Sequence, residues 1–363
     1  MATIVLGDIV TIVKEVVNPK TCGLDKFVGL EHYDAGEPLI TRYGSPENLD
    51  TNVKHFCKGD ILVARRNVYL KRAGYVDFEG VTSGDSIVLR VKDSAYLRIL
   101  PFILNTEDFW DYAEQNSDGT MSKRLSPDDL LDYEFEEPAN KELLADKLWA
   151  AYRVKESYRQ LLATTDDMLK AKFNDMFLDK EWPLEKLPNI ASYMIGLTYK
   201  PSEVTDNGIV VLRSGNIKEG RIDLEDIVRV STKFKDDLYV QKDDILMCSR
   251  NGSAQLVGKV ALIPELDEPM TYGAFMTVIR SKYNQYLVQY FQTKEFRKQL
   301  SGSKSSVMNQ VTQKMLDDIV VPLPSDEAIE EFAAIATQAE DTKASLRQSI
   351  DAIDRVIRSL INQ

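Results

Sequence analysis

The sequence predicts a mixed α/β (α+β) architecture: globular domains in tandem duplication, each followed by a long α-helix, with the two helices pairing as an antiparallel coiled coil. Three observations lead there. One phrase is written twice, as "GDILVARRNVYLKRAGYV" from Gly59 and as "DDILMCSRNGSAQLVGKV" from Asp243. Asp60-Ile61-Leu62 matches Asp244-Ile245-Leu246, Arg66-Asn67 matches Arg250-Asn251, and Gly74 matches Gly258, each 184 residues on. Each copy is followed by a long segment without Pro or Gly, built from good helix formers. Short β-branched runs fill the rest, which is the composition of strands.

In chain order, the first domain is expected over residues 1–138. "DIVTIV", "DILVA" and "SIVLRV" have strand character. "LRILPFILNTEDFWDYAEQ" has helical spacing, and its aromatic face fits a core better than a base-stacking platform. The first long helix is expected over 139–178, after the start signal "SPDD". Leu144, Leu148, Ala151, Lys155, Tyr158, Leu162, Thr165, Leu169 and Lys172 alternate steps of four and three, which is a heptad seam.

The second domain is expected over 179–324, opening on a linker, 179–189, with two prolines and no period. Its strands are expected at "IVVL", "DILMC" and "FMTVIR", and a helix at "QYLVQYFQTKEFRKQLS". "VTSGDSIVLR" resembles "MTYGAFMTVIR", with one extra residue in the second copy. "TEDF" resembles "TKEF", and "LSPDDLLDYEFEEP" resembles "VTQKMLDDIVVPLP". The last helix is expected over 325–363. Its seam is Phe332, Ala336, Ala339, Lys343, Leu346, Ile350, Ile353, Ile357 and Leu360, each 188 residues after its counterpart. At 1.5 Å per residue each helix should run about 57 Å. A lone helix of this kind leaves its seam in water, whereas two equivalent helices in one chain can cover each other.

The bulk numbers narrow the function. The 363 residues suffice for two domains, and 44% hydrophobic with 28% charged residues is ordinary for a globular chain. No apolar run reaches membrane length and the first residues lack a basic leader, so a soluble cytoplasmic chain with no membrane partner is expected. Three scattered cysteines fit a reducing compartment, with neither a disulfide framework nor a zinc site. The net charge of −12 cautions against nucleic acid, yet cations cluster at Arg65-Arg66 with Lys71-Arg72, at Lys123-Arg124 and across Lys294 to Lys304.

Catalytic signatures are not seen. The two histidines, His32 and His55, have no counterparts in the second half. There is no glycine fingerprint after a strand and no Asn-Pro-Pro-aromatic stretch, and "SGSKSS" lacks the Gly-Lys of a phosphate loop. Asp128-Asp129, Asp236-Asp237 and Asp317-Asp318 flank helices or turns, where solvated faces and caps account for them. The chain is not expected to be an enzyme.

"NIASYMIGLTYKPSEV", "VVLRSGNIKEGRIDLEDIVRV", "DDILMCSRNGSAQLVGKVALI" and "SSVMNQVTQKMLDDIVVPLP" resemble a target-recognition domain of the type I restriction-modification specificity subunit. "FVGLEHYDAGEPLITRYGS", "GDILVARRNVYLKRAGYVDFEGVTSGD" and the helix after Pro138 carry the same likeness through the first half, whose opening is short. The resemblance implies a non-catalytic subunit with two target-recognition domains, each reading half of a split, asymmetric double-stranded DNA sequence. The helices would be the spacer between them. Two DNA methyltransferase subunits would dock there and carry S-adenosylmethionine. A restriction subunit with ATP and Mg could join.

On this reading Arg65, Arg66, Asn67, Tyr69, Lys71 and Arg72 are the first candidates for DNA contact, with Lys123 and Arg124 beside them. Arg suits guanine, Asn adenine and Lys phosphate. In the second half the candidates are Ser249, Arg250, Asn251 and Gln255, with Arg213, Ser214 and Asn216 of "LRSGNI". Lys304, Ser305, Asn309 and Gln310, a polar segment before a helix, complete the set. A solvated strand edge is the competing reading of the basic cluster, and a hairpin that of "SGNIK". At the level of the whole chain the competing reading is a protein-interaction scaffold with two binding modules on a coiled-coil rod.

Overall fold

In a computed structural model, described over residues 2–119, 122–302 and 310–362, the phrase "DILVA" is apolar after its aspartate because both faces of the strand are buried. Strand Ile61–Ala64 sits centrally in a five-stranded sheet ordered Val10–Ile12, Ser86–Val91, Ile61–Ala64, Ala73–Val76, Leu39–Ile40. All pairs are antiparallel except the last. Successive side chains of a strand point to opposite faces. Ile61 and Val63 therefore meet Leu100, Phe102, Phe109 and Trp110 of the helices. Leu62 and Ala64 meet Val28, Tyr33 and Phe56 on the side of a second, four-stranded sheet.

The chain divides into two compact units, residues 1–160 with 346–363, and residues 161–345. The second unit uses the same device. Ile245 and Met247 of strand Ile245–Cys248 enter a helix-side core, while Leu246 and Cys248 enter another core with Val210 and Tyr272. Its main sheet is ordered Ser192–Ile195, Met276–Arg280, Ile245–Cys248, Val260–Leu262.

The acidic residue opening each phrase is a buried brace. Asp60 is 1% exposed and accepts from Arg90 Nε at 2.8 Å and from its terminal nitrogen at 2.7 Å. Asp244 is held by Arg280 Nε at 2.9 Å. Each carboxylate also accepts a backbone N–H, from Cys57 and from Gln241, both at 2.8 Å. A buried charge is tolerated only when paired and hydrogen-bonded in this way. The preceding residues, Gly59 and Asp243, both have positive φ, a conformation open to Gly and accessible to Asp.

Some elements depart from the sequence reading. "DIVTIV" is not all strand: Asp8 and Ile9 close a helical turn, Leu6–Ile9, and the strand begins at Val10. The stretch 97–115 is broken into Ser94–Leu97, Leu100–Ile103 and Glu107–Gln115. Thr106 is the reason for the last restart, because its hydroxyl accepts from Phe109 N and caps a new helix. Thr293 does the same for Phe296, dividing Asn284–Tyr290 from Lys294–Gly302. "SPDD" starts the short helix Pro127–Leu131, capped by Ser126, and not the long one. The long helix is opened instead by Asn140, whose side chain accepts from Leu143 N at 3.0 Å.

The stretch 179–189 holds ordered elements. Leu184–Lys186 pairs with Val320–Pro322, and Leu187–Ile190 forms a helical turn. In the first unit Thr3–Val5 pairs with Glu134–Glu136 before Leu6–Ile9 in the same way. Two prolines mask this pattern in the sequence. Pro188 falls in the first turn of its short helix, where the lost N–H is harmless.

Two long helices stand out, Lys141–Phe173 and Asp326–Ile361. Burial along them follows the seam phase. Leu148, Lys155, Thr165 and Leu169 are buried on the first, with Leu144, Tyr158 and Leu162 half-buried. Phe332, Ala336, Ala339, Lys343 and Leu346 are buried on the second, with Ile350, Ile353, Ile357 and Leu360 half-buried. Within the second unit Phe173, Phe177, Phe332 and Tyr286 cluster at ring-centroid distances of 4.9 to 5.4 Å. Within the first unit Ile357 and Leu360 pack against the helix-side core. The two buried seam lysines are neutralised. Lys155 Nζ lies 2.8 Å from Glu37 and 2.6 Å from Asp354. Lys343 Nζ lies 2.7 Å from Asp166 and also pairs with Glu340. Among the described residues no helix is long and apolar enough to cross a membrane.

Candidate nucleic-acid interface

The first site grows from the end of strand Ile61–Ala64. Asn67 and Lys71 take left-handed backbone conformations either side of the turn Val68–Leu70, which folds the basic run back on itself. Its backbone is pinned by Arg65 N to Asp85 O at 2.9 Å, Leu125 N to Arg65 O at 2.9 Å and Asn67 N to Lys123 O at 3.0 Å. These bonds bring Arg65, Arg66, Asn67, Lys123 and Arg124 together from two distant stretches of chain. Arg66 donates through Nε to Ser122 Oγ at 2.9 Å, and Ser122 in turn donates to Asn67 Oδ1 at 3.2 Å. One carboxylate, Asp85, faces both guanidiniums: Arg66 at 3.5 Å and Arg124 at 3.3 Å.

Other candidates in this cluster differ in what they can offer. Tyr69 is 62% exposed. Lys71 pairs with Glu107. Arg65 Nε donates to Leu125 O at 3.1 Å. Arg72 donates to Leu30 O and to Arg66 O, both at 3.1 Å, so its head braces the loop. Burial lowers its pKa, opposed by Tyr33, Tyr69 and Glu31. Lys54, which sequence reasoning overlooked, donates to Ser86 O at 2.6 Å. Burial first, then Arg65, pulls its pKa down, while Asp85 pulls it up.

The second site repeats the backbone plan after strand Ile245–Cys248. Ser249 N and Arg250 N both donate to Phe275 O, at 2.8 and 3.0 Å, and Val311 N donates to Ser249 O at 2.7 Å. Arg250 donates to Gln310 Oε1 at 2.7 Å, and its guanidinium carbon lies 5.7 Å from the centroid of the Phe275 ring. Phe275 is 59% exposed. It escapes the sequence reading because the extra residue in "MTYGAFMTVIR" obscures its correspondence with Asp85. The shared bond to a backbone carbonyl restores that correspondence. Asn251 bonds Ser214 Oγ at 3.1 Å, Arg213 pairs with Asp226 at 3.0 Å, and Gln255 is exposed.

Two candidates are corrected. Asn216 is 1% exposed, accepts from Arg213 N at 2.9 Å, and donates to Asp223 O and Asp226 O at 2.9 and 2.8 Å. Its amide is spent on the turn and is closed to a base. The hairpin is the better reading of "SGNIK", since Ile217–Lys218 pairs with Arg221–Ile222. Ser249 is buried and its hydroxyl bonds Thr277, so it too is structural. Lys304, Ser305 and Asn309 lie outside the described residues.

Among the described residues, His55, Cys57 and Glu79 form a three-donor group. His55 lies 3.0 Å from Glu15 and 2.8 Å from Glu79. Burial disfavours its charge, but the two carboxylates outweigh that and hold its pKa above the ordinary value. Ion pairing accounts for the group without a metal.

The comparisons with known proteins fit this geometry. Residues 180–355 match the family model described as type I restriction modification DNA specificity domain. That places residues 180–355 in the class of DNA-specificity domains. The chain is 24% identical over 197 residues, 51% of its own length, to the type I restriction enzyme StySPI specificity subunit of Salmonella potsdam, and the match spans 42% of that relative. The fold is similar over 99% of the chain to the S subunit of a type I restriction-modification system from M. genitalium, with TM-score 0.57, 14% identity and 94% of that chain covered. It is similar over the same share to a chain solved for the complex assembly and conformational transition of the type I R-M system, with TM-score 0.53, 15% identity and 96% covered. Residues 180–355 thus carry a type I restriction modification DNA specificity domain, and the curated relative that the chain resembles is a type I specificity subunit.

Proposed function

We propose that this chain, itself non-catalytic, supplies the sequence choice of a type I restriction-modification complex. Residues 1–138 and 179–324 are the two target-recognition domains of a duplicated plan. Each reads half of a bipartite, asymmetric double-stranded DNA target. The helices over 139–178 and 325–363 pair as an antiparallel coiled coil, set the separation and dock two DNA methyltransferase subunits. Those partners carry S-adenosylmethionine. Restriction or translocase subunits bring ATP and Mg. This chain needs no cofactor of its own and works in the cytoplasm.

The observation that carries the reading is the repetition of one site. The bond from Leu125 N to Arg65 O recurs from Val311 N to Ser249 O, and an arginine follows each time. One chain with two such sites suits a target in two parts. The buried seam phase and the contact of Lys155 with Asp354 support pairing of the helices. Val154, Leu161 and Met168 are exposed at heptad spacing on the first helix, which suits a further helix from a partner.

The test is to map methylated sites for the assembled methyltransferase carrying Arg65→Ala, Arg66→Ala or Arg250→Ala. Relaxed choice in one half-site is expected for each. Weaker methylation at an unchanged motif would assign that residue to phosphate. Binding without sequence preference or salt dependence would favour the scaffold reading instead.

A further inference from the structure

We infer that Asp85 and Phe275 are the specificity-determining corners of the two sites, and that they set different base pairs in the two half-sites. The inference rests on the DNA-reading function proposed above. Each site has three corners held by one backbone arrangement. The first corner is Arg66 or Arg250. The second is the residue whose carbonyl receives the N–H at the strand's end, Asp85 or Phe275. The third is the bridge partner of the arginine, Arg124 or Gln310.

The backbone is shared but the chemistry is not. In the first site Asp85 draws two guanidiniums toward one carboxylate, giving strong donors around one strong acceptor. That surface fits a G·C pair: arginine donates to guanine O6 and N7, and a carboxylate accepts from cytosine N4. In the second site the arginine rests against an exposed aromatic ring and is tethered by a glutamine amide. Glutamine can bond adenine N6 and N7, and an apolar ring suits the thymine methyl. That surface fits an A·T pair. Phe275 also has no core to fill. Its neighbours Met276 and Val278 are buried, while its own ring faces outward against Arg250 alone among the ring contacts described.

The experiment is selection from random duplexes by the chain in its native assembly, comparing the unaltered protein with Phe275→Ala, Gln310→Ala and Asp85→Asn. Phe275→Ala and Gln310→Ala should relax the same A·T position by about tenfold or more, in one half-site only. Asp85→Asn should relax a G·C position in the other half-site. Full retention of both half-sites in Phe275→Ala and Gln310→Ala overturns the inference while leaving the DNA-reading function intact. If Phe275→Ala fails to fold, Gln310→Ala, at an exposed position, decides the question alone. If the unaltered assembly selects no sequence, the functional reading falls and this inference with it.

Discussion

At the scale of single residues, polar side chains in the two sites divide into readers and braces. Asn216 uses its carbonyl and its amide nitrogen within 2.9 Å, so a base can gain nothing from it. Asn216→Ala should destabilise the second unit by about 1–3 kcal/mol, the cost of leaving buried partners unmet. The half-site motif should stay unchanged. Thermal melting and motif mapping on the same variant check both halves of that expectation. Glu37 is the other telling residue. Burial alone would raise its pKa, yet hydrogen bonds from Arg159 and Lys155 hold it below the ordinary carboxylate value. Its stabilising contribution is therefore complete above that ordinary value and is lost as pH falls through the lowered one. Melting curves of the unaltered chain and Glu37→Gln should differ near neutrality and converge in acid. A gap that widened in acid would mean the charge of Glu37 is not what matters.

At the scale of elements, the strands are legible in the sequence because burial on both faces forces unbroken apolar runs. The helices are legible because one buried face forces a period. What escapes are partners distant in sequence. Nothing near Asp60 announces Arg90, and nothing near Lys155 announces Glu37 or Asp354. A lysine in an apolar seam reads as a flaw until its carboxylates are placed around it. The candidate arginines are legible by type, but whether each head is free or tied to a carbonyl, as Arg72 is, depends on contacts that no spacing encodes. With their carboxylates in place, Lys155 and Lys343 read as register pins. A polar group in a seam can select one alignment at some expense of stability. Lys155→Ala should cost about 1–3 kcal/mol, because buried Glu37 loses one of its two cationic partners and keeps only Arg159. Lys155→Met combined with Glu37→Gln should recover much of that loss. Chemical denaturation of the three proteins measures it. If the double variant is no better than the single, charge burial is not the source of the penalty.

At the scale of the whole molecule, the net charge of −12 has to be reconciled with the DNA ligand proposed above. Much of the positive charge at the two sites is already answered within the chain. Lys71 faces Glu107, Arg213 faces Asp226, and Arg66 and Arg124 share Asp85. Few cations remain to displace counterions from phosphate. With about three phosphates neutralised, the logarithm of the binding constant should fall against that of salt with a slope of about −3. An assembly whose partners grip the backbone should show a much steeper slope, with the sequence preference still residing in this chain. Anisotropy titrations of one duplex over a range of KCl, for the isolated chain and for the assembly, separate the two contributions. A slope steeper than about −6 for the isolated chain would mean that it grips the backbone unaided. The acidic total would then need a different physical account, such as repulsion that keeps free copies of the chain off non-target DNA until partners bind.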